Sequence, residues 1–330
     1  MTVLNKENSI LSISNSKLLR VLFEALVLVH HLYITSTPFG AKISCSLGPI
    51  AVGGFIFLSG LGVGFSYIQK SDEYVKKLLK QRVPRTYATL FIVNLCYLIL
   101  YLIIGGKFSN TFSAIISVLY LPIFKGFIPL SHWIYFLADL LIYYLMFLFF
   151  IFVFRKTKNK LLMTAITILA IDLIIIIVLS VINYQTGSAR YLRACLCFPI
   201  GLICATFSGR ITEILNKHKI LFAVCLSAIS VVIMALSDSN PVLEYILPIF
   251  TVLALVVILY GKNAKNKVLA YLSDLIIYVY VSHEFFLILC KHLFSTLLIN
   301  LHMNVIGLIV FACSMLFAIS LNAIIKKNKV

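Results

Sequence analysis

The sequence predicts an all-α fold, a polytopic integral membrane helix bundle of about ten transmembrane helices plus a re-entrant segment. Of its 330 residues, 62% are hydrophobic and only 12% are charged, and apolar stretches repeatedly exceed the roughly 18 residues that span a bilayer. Unsatisfied backbone groups are too costly in hydrocarbon for open structures, and the alternating pattern of a membrane barrel is absent. We therefore expect residues 1–330 to form a single membrane domain.

Ten spans are predicted in chain order. They cover roughly residues 17–35, 48–68, 86–104, 131–154, 161–182, 190–208, 220–237, 242–260, 268–290 and 305–324. The segment 108–130 would begin and end on the outer side, yet it is too apolar for an ordinary loop. Pro122, Gly126 and Pro129 would break a helix there. We expect a re-entrant or interfacial excursion, because irregular backbone at membrane depth is tolerated where it lines a protein cavity.

The basic residues predict the orientation of the bundle. The formal net charge is +17, and the lysines and arginines occur in short runs between the apolar segments. With a cytoplasmic N-terminus, all but six of these 28 residues lie on the cytoplasmic side, the exceptions being Lys42, Lys107, Lys125, Arg190, Arg193 and Lys291. This asymmetry follows the positive-inside rule. It predicts a multi-pass protein of the plasma (cytoplasmic) membrane with both termini in the cytoplasm, and it argues against nucleic acid as a partner.

The first span carries charged side chains where lipid would tolerate none. Arg20 and His31 are eleven residues apart, which returns them to within about 20° of the same helix face at a displacement of about 16 Å. Glu24 lies one turn above Arg20 on nearly the same stripe, whereas His30 falls about 80° away. Ionisable groups inside a membrane helix are costly and are functional-site candidates by default. We therefore expect this stripe to face a site, with different roles for the two histidines.

The second span and the segment after it each carry a notable feature. Arg82 and Arg85 are one turn apart on a helix end, a spacing suited to clamping phosphates bidentately. The same basic run also satisfies the positive-inside rule, so both interpretations stay open. Within the span, Gly60 and Gly64 allow close helix approach. No phosphate-binding loop of the Walker or dinucleotide type is present, because the glycine spacing is wrong and no strand precedes it.

Polar groups recur in the later spans. His132 and Asp139 share one face of span four, and a buried aspartate should point into the bundle. Trp133, beside His132, also has the simpler explanation of an interfacial anchor. Arg190 and Arg193 lie on the outer side, where arginine is disfavoured, so we expect them to have a functional role or to form a buried ion pair.

Span nine and the cysteines complete the set of candidate side chains. His283 and Glu284 lie in the outer half of span nine; a lone histidine is usually structural, but one beside a glutamate favours function. We expect no metal site, because Cys195 and Cys197 lack further ligands nearby in sequence and are better explained by packing.

Five of these motifs, in this order, resemble the membrane acyltransferase-3 family. They are the Arg20 and His31 pair with ten residues between, FIFLSG at 55–60 with Ser59, the Arg82 and Arg85 pair, His132-Trp133, and YVYVSHEFF at 278–286. Span four lacks the family's usual Trp-Phe-Leu motif and has Asp139 in its interior. The extra extracytoplasmic esterase-like domain of some members is not expected. The resemblance implies transfer of an acyl group, usually acetyl from acetyl-coenzyme A, to a sugar of an envelope molecule.

The resemblance also suggests roles for the candidate residues. His31 would be the general base on the acceptor hydroxyl, and Arg20, Arg82 and Arg85 would neutralise the phosphates of the acyl-coenzyme A donor. Acceptor or cavity positions would be Glu24, Ser59, His132, Trp133, Asp139, Arg190, Arg193, His283 and Glu284. No bound cofactor is expected. The partners would be the acyl-coenzyme A substrate, a glycan or lipid-linked sugar acceptor, membrane lipid and other envelope-polysaccharide biosynthesis proteins.

Two other functions are compatible with the residues. In a transporter or flippase of a lipid-linked sugar, the same buried charges would form a translocation path, although the chain lacks the internal repeat common in such proteins. A non-catalytic scaffold for an envelope synthase would leave the polar stripes unexplained.

Overall fold

The structure, a computed structural model, describes residues 10–32, 38–107, 135–181, 194–237, 241–263, 266–297 and 303–327. Within these ranges the chain is helical and contains no strand. The helices are α1 (Ile13–Leu32), α2 (Pro38–Lys77), α3 (Val83–Ile103), α4 (Tyr135–Val153), α5 (Lys160–Val181), α6 (Cys197–Thr206), α7 (Ser208–Leu236), α8 (Pro241–Leu259), α9 (Lys267–Thr296) and α10 (Met303–Lys327). The predicted all-α membrane fold is confirmed. The predicted re-entrant segment, 108–130, lies outside the described residues.

The number of membrane-spanning helices is somewhat lower than predicted when length and apolarity alone are counted. Seven helical segments of the described chain meet that test, and one of them, Ser46–Ile103, is 58 residues long and contains two predicted spans. Helix α1 is not among the seven because it carries Lys17, Arg20 and Glu24. Helix α6 is not among them because it has only 10 residues. Every predicted span nevertheless overlaps one of the described helices.

Helix α2 lies at the centre of the main apolar core, packed against side chains of α1, α4, α6 and α8. Its contact with α6 depends on glycine. A Cβ on Gly60 would lie 2.2 Å from the carbonyl oxygen of Phe198, and one on Gly64 would lie 2.5 Å from the Cβ of Ala205. The close helix approach predicted for these two glycines is therefore confirmed.

The junction between α2 and α3 is irregular. Helix α2 kinks at Ser71, whose φ of 45° is unusual for a residue with a side chain and costs of the order of 1–3 kcal/mol. A π-helical turn, Leu78–Arg82, then leads into α3. Such turns are rare in proteins, and those that do occur are often found at functional sites. This turn places Arg82 at the start of α3.

Helices α1 and α9 run parallel to each other. Arg20 and Asp274 each lie seven residues after the first residue of their helix and line the same cavity. His31 and Glu284, 4.0 Å apart, lie further along the same two helices. The start of α1 is fixed by Asn15, whose amide donates to the carbonyl oxygens of Leu259 at 2.9 Å and Lys262 at 2.6 Å. The polar stripe of α1 therefore faces α9 along its length.

Candidate active site

A cavity of about 480 Å³ opens between α1, α2, α4, α9 and α10. Its lining residues are Arg20, Phe55, Leu58, Ser59, Phe136, Ser273, Asp274, Ile276, Ile277, Tyr278, Tyr280 and Asn322. Ser273 is buried, and its hydroxyl has no hydrogen-bond partner among the described residues. A cavity that combines apolar walls with a few polar groups is the usual form of a ligand site.

Arg20 is the cationic wall of this cavity. Arg20 is exposed, and it is one of the residues that line the cavity. Arg82, Tyr144 and Asp274 are close enough to interact with it electrostatically. Two arginines from distant parts of the sequence thus lie close together, Arg20 in the cavity lining and Arg82 near it, where they would attract an anion.

Arg82 is held toward Arg20 by two tyrosines. Its Nη1 donates to the Tyr74 hydroxyl at 3.1 Å, and its guanidinium lies 5.6 Å from the centre of that ring. The Tyr144 hydroxyl interacts with the side chains of both Arg82 and Ser59. Within the described chain both arginines are exposed and neither is part of the cavity lining, but the contacts with Tyr74, Tyr144 and Arg20 involve Arg82 and not Arg85. The two arginines that the sequence pairs therefore occupy different surroundings.

A second group, the histidine cluster, consists of His31, His283 and Glu284. The His31 Nδ1 lies 4.0 Å from the Glu284 Oε2, and the two imidazole rings have their centres 5.1 Å apart. His283 is 2% exposed; its Nδ1 lies 3.3 Å from the Val279 carbonyl oxygen, and its Nε2 has no hydrogen-bond partner among the described residues. The cluster is therefore a pair of imidazoles beside one carboxylate, which is suited to proton transfer.

His30 has different surroundings from His31. Its ring packs on the backbone of α2, so closely that a Cβ on Gly48 would lie 2.6 Å from it. The rings of His30 and His31 meet edge to face at 4.9 Å. His31 alone of the two reaches the carboxylate of α9 at ion-pair distance.

The three side chains of the histidine cluster are also close enough to suggest a metal site. Their ligand atoms lie within 4.8 Å of one another. Tetrahedral zinc, with bonds of about 2.0–2.1 Å, separates its ligand atoms by only roughly 3.4 Å. The 4.0 Å between His31 and Glu284 exceeds that spacing, so the side chains as placed do not match the ligand spacing of tetrahedral zinc.

Glu24 lies between Arg20 and His31 on α1. It is 4% exposed, and neither carboxylate oxygen has a hydrogen-bond partner among the described residues. Placing an unpartnered carboxyl inside a bundle is costly. Glu24 therefore stays a candidate for ligand or proton contact.

Asp139 belongs to another part of the bundle. It lies near Asp172 of α5, which accepts hydrogen bonds from the Tyr143 hydroxyl at 3.3 Å. Asp139 is not part of the cavity lining within the described chain. The remaining candidates, His132, Trp133, Arg190 and Arg193, lie outside the described residues.

Sequence reasoning missed three residues of these surroundings: Tyr144, Asp274 and Asn322. Asp274 gave the same signal as Glu24, an ionisable group in an apolar helix, and could have been found. Tyr144 gave none, because the chain has 17 tyrosines and 25 phenylalanines. Tyr280 lies in the motif at 278–286, but no role was assigned to it.

Comparison with known proteins identifies the family. The family model of the acyltransferase-3 acyltransferase domain matches residues 13–324. A search of curated proteins and a search of solved structures gave no match. The match spans α1 to α10 and includes both the cavity and the histidine cluster. This chain therefore belongs to the acyltransferase-3 family of membrane acyltransferases.

Proposed function

We propose that this membrane acyltransferase moves an acetyl group from acetyl-coenzyme A to a hydroxyl of a cell-surface polysaccharide or of its lipid-linked precursor. The observation that carries the proposal is the arrangement along the parallel pair α1 and α9. A cavity lined by Arg20, with Arg82 near Arg20, lies toward the start of both helices, and His31 with Glu284 lies further along them.

The acyl-coenzyme A donor carries negatively charged phosphates at one end and the acyl thioester at the other. Its phosphates would bind Arg20 and Arg82, because guanidinium groups match phosphate oxygens bidentately. The thioester would then extend toward His31, which is about 16 Å further along α1. This distance is comparable to the reach of an extended pantetheine arm, so the cationic end and the histidine cluster can serve one donor molecule.

The transfer exchanges a carbon–sulfur bond for a carbon–oxygen bond. His31 accepts the proton of the acceptor hydroxyl while the oxygen of that hydroxyl bonds to the thioester carbon. The bond to sulfur breaks, and coenzyme A leaves as a thiolate that takes the proton from the His31 imidazolium. Glu284, 4.0 Å from His31, orients the imidazole and stabilises its protonated form.

The acceptor would approach from the opposite side of the membrane. With the N-terminus cytoplasmic, the arginines lie toward the cytoplasm and the histidine cluster toward the outer face. The proposed acceptor contacts on that face are His132, Trp133, Arg190 and Arg193. Asp139 is proposed to belong to the same group of acceptor or cavity residues. In this arrangement the enzyme works in the plasma membrane beside the proteins that make the glycan.

The experiment compares envelope glycans from cells with and without the protein. Glycans from cells that lack it should have lost their O-acetyl groups by mass analysis, at an unchanged glycan amount, and wild-type protein should restore them. Reduced glycan at the surface with unchanged acetylation would instead support a flippase. Reconstituted vesicles test the donor directly, since acetyl-coenzyme A should be consumed only from the side that carries the arginines.

A further inference from the structure

Three aromatic rings line the cavity on the side that contacts the histidine cluster. Phe55 of α2, Phe136 of α4 and Tyr280 of α9 all line it, and we name them the ring triad. Their ring centres are 5.4 Å apart for Phe55 and Phe136, 6.2 Å for Phe55 and Tyr280, and 5.3 Å for Phe136 and Tyr280. Each ring is therefore in contact with both others.

The ring triad is tightly packed. Phe55 is 8% exposed, Phe136 is 6% exposed and Tyr280 is 3% exposed, so little of each ring faces the cavity. On the far side of Phe55 lies Phe23 of α1, with its ring centre 5.8 Å away. Packed interiors resist added volume because neighbouring side chains must leave their preferred rotamers.

The histidine cluster lies directly behind the ring triad. Tyr280 has its ring centre 5.8 Å from that of His283, and His283 in turn contacts His31. Neither histidine nor Glu284 is part of the cavity lining within the described residues. Within the described residues, the ring contacts from Tyr280 to His283 and from His283 to His31 therefore join the wall of the cavity to the proposed general base.

We propose that the ring triad sets the length of the acyl group that this enzyme transfers, admitting acetyl and excluding longer chains. The inference rests on the proposed donor function and deepens it, because it assigns specificity to three residues that otherwise only pack. The rings must rotate away from one another to let an acyl group pass, and a longer acyl chain requires a larger opening than acetyl does. In apolar sites, one methylene changes the relative rate by roughly 10- to 200-fold.

The test measures relative use of acyl donors of different length. Purified protein in vesicles made from the source membrane, which supply its acceptor, is given acetyl-, butyryl- or hexanoyl-coenzyme A, and release of the free thiol is followed. The variants are Phe136→Ala and Phe55→Ala. The matched control is Phe149→Ala on α4, a ring that is 61% exposed on the outside of the bundle.

Wild-type protein should use butyryl-coenzyme A at least about 100-fold more slowly than acetyl-coenzyme A, since two methylenes are added. Phe136→Ala and Phe55→Ala should raise the butyryl-to-acetyl ratio by about tenfold or more, and Phe149→Ala should leave it at the wild-type value. A purely structural role would lower all rates together and leave this ratio unchanged. Phe136→Leu, which keeps an apolar side chain, gives the same comparison if the alanine variant does not fold.

Two results separate failure of this inference from failure of the proposed function. If wild-type protein uses hexanoyl-coenzyme A as fast as acetyl-coenzyme A, or if the ratio is unchanged in the variants, the ring triad does not select the acyl group although the donor assignment stands. If wild-type protein cleaves none of the three donors, the proposed function is wrong and the specificity role falls with it.

Discussion

At the scale of single residues, the two adjacent histidines of α1 provide the sharpest contrast. His31→Ala should lower acyl transfer by roughly 10² to 10⁴, the usual loss when a general base is removed. His30→Ala should retain most of the activity, because His30 packs on α2 at Gly48 whereas His31 faces Glu284. Glycan acetylation in complemented cells measures both, with the amount of folded protein in the membrane as the control. Loss in His30→Ala with full activity in His31→Ala would reverse the assignment.

Glu284 is proposed to act through His31, so its substitution should affect the chemical step. Glu284→Gln keeps the shape but removes the charge 4.0 Å from His31. We expect kcat to fall while the KM for acyl-coenzyme A stays near its wild-type value, which indicates an interaction needed in the transition state. Glu284→Asp, which keeps the charge, should recover part of the loss. A rise in KM with unchanged kcat would place Glu284 in donor binding instead.

At the scale of elements, the contact between α2 and α6 permits a matched pair of substitutions. Gly60→Ala places a methyl group 2.2 Å from the Phe198 carbonyl oxygen, whereas a Cβ on Gly62 meets nothing within 4 Å. Overpacking of this kind costs about 1–3 kcal/mol. Gly60→Ala should therefore lower the thermal unfolding midpoint in detergent, and Gly62→Ala should not. Equal midpoints would mean that the two helices separate easily.

The π-helical turn before α3 separates the roles of the two arginines that follow α2. Arg82→Ala should raise the KM for acyl-coenzyme A by roughly 10- to 100-fold, since hydrogen bonds to charged groups contribute about 1.5–3 kcal/mol. Arg85→Ala should have the smaller effect, because within the described chain the contacts with Tyr74, Tyr144 and Arg20 involve Arg82 and not Arg85. Arg82→Lys should rescue only partly, as an ammonium lacks the bidentate fork. Unchanged donor dependence in the double alanine variant would contradict phosphate binding here.

At the scale of the whole molecule, the parallel packing of α1 and α9 restricts the topology. Two helices run parallel when an odd number of crossings lies between them. Between α1 and α9, six of the described helices are of spanning length if the continuous segment Ser46–Ile103 is counted as two, α2 and α3. The other four are α4, α5, α7 and α8. If 108–130 is re-entrant as predicted, the segment that contains α6 supplies the seventh crossing. This count favours ten crossings and termini on one side.

The orientation itself is tested by labelling. A cysteine introduced as Lys158→Cys should be protected from an impermeant thiol reagent added outside, and Gly187→Cys should react with it. The chain has 8 cysteines of its own, so the unsubstituted protein is the control for background labelling. The reverse pattern would invert the bundle and exchange the proposed donor and acceptor sides.

Much about this protein follows from its sequence alone, because apolarity, charge and helical period are local properties of a chain. They predicted the membrane class, the helical spans, the polar stripe of α1 and the glycine contact of α2. They could not predict which stripes meet. Helix association in lipid depends on shape and small-residue packing, with no hydrophobic driving force to mark the partner. Only the tertiary structure brings Glu284 to His31 across 253 positions of sequence, places Arg82 and not Arg85 in contact with Arg20, and lines the cavity with three rings from three helices.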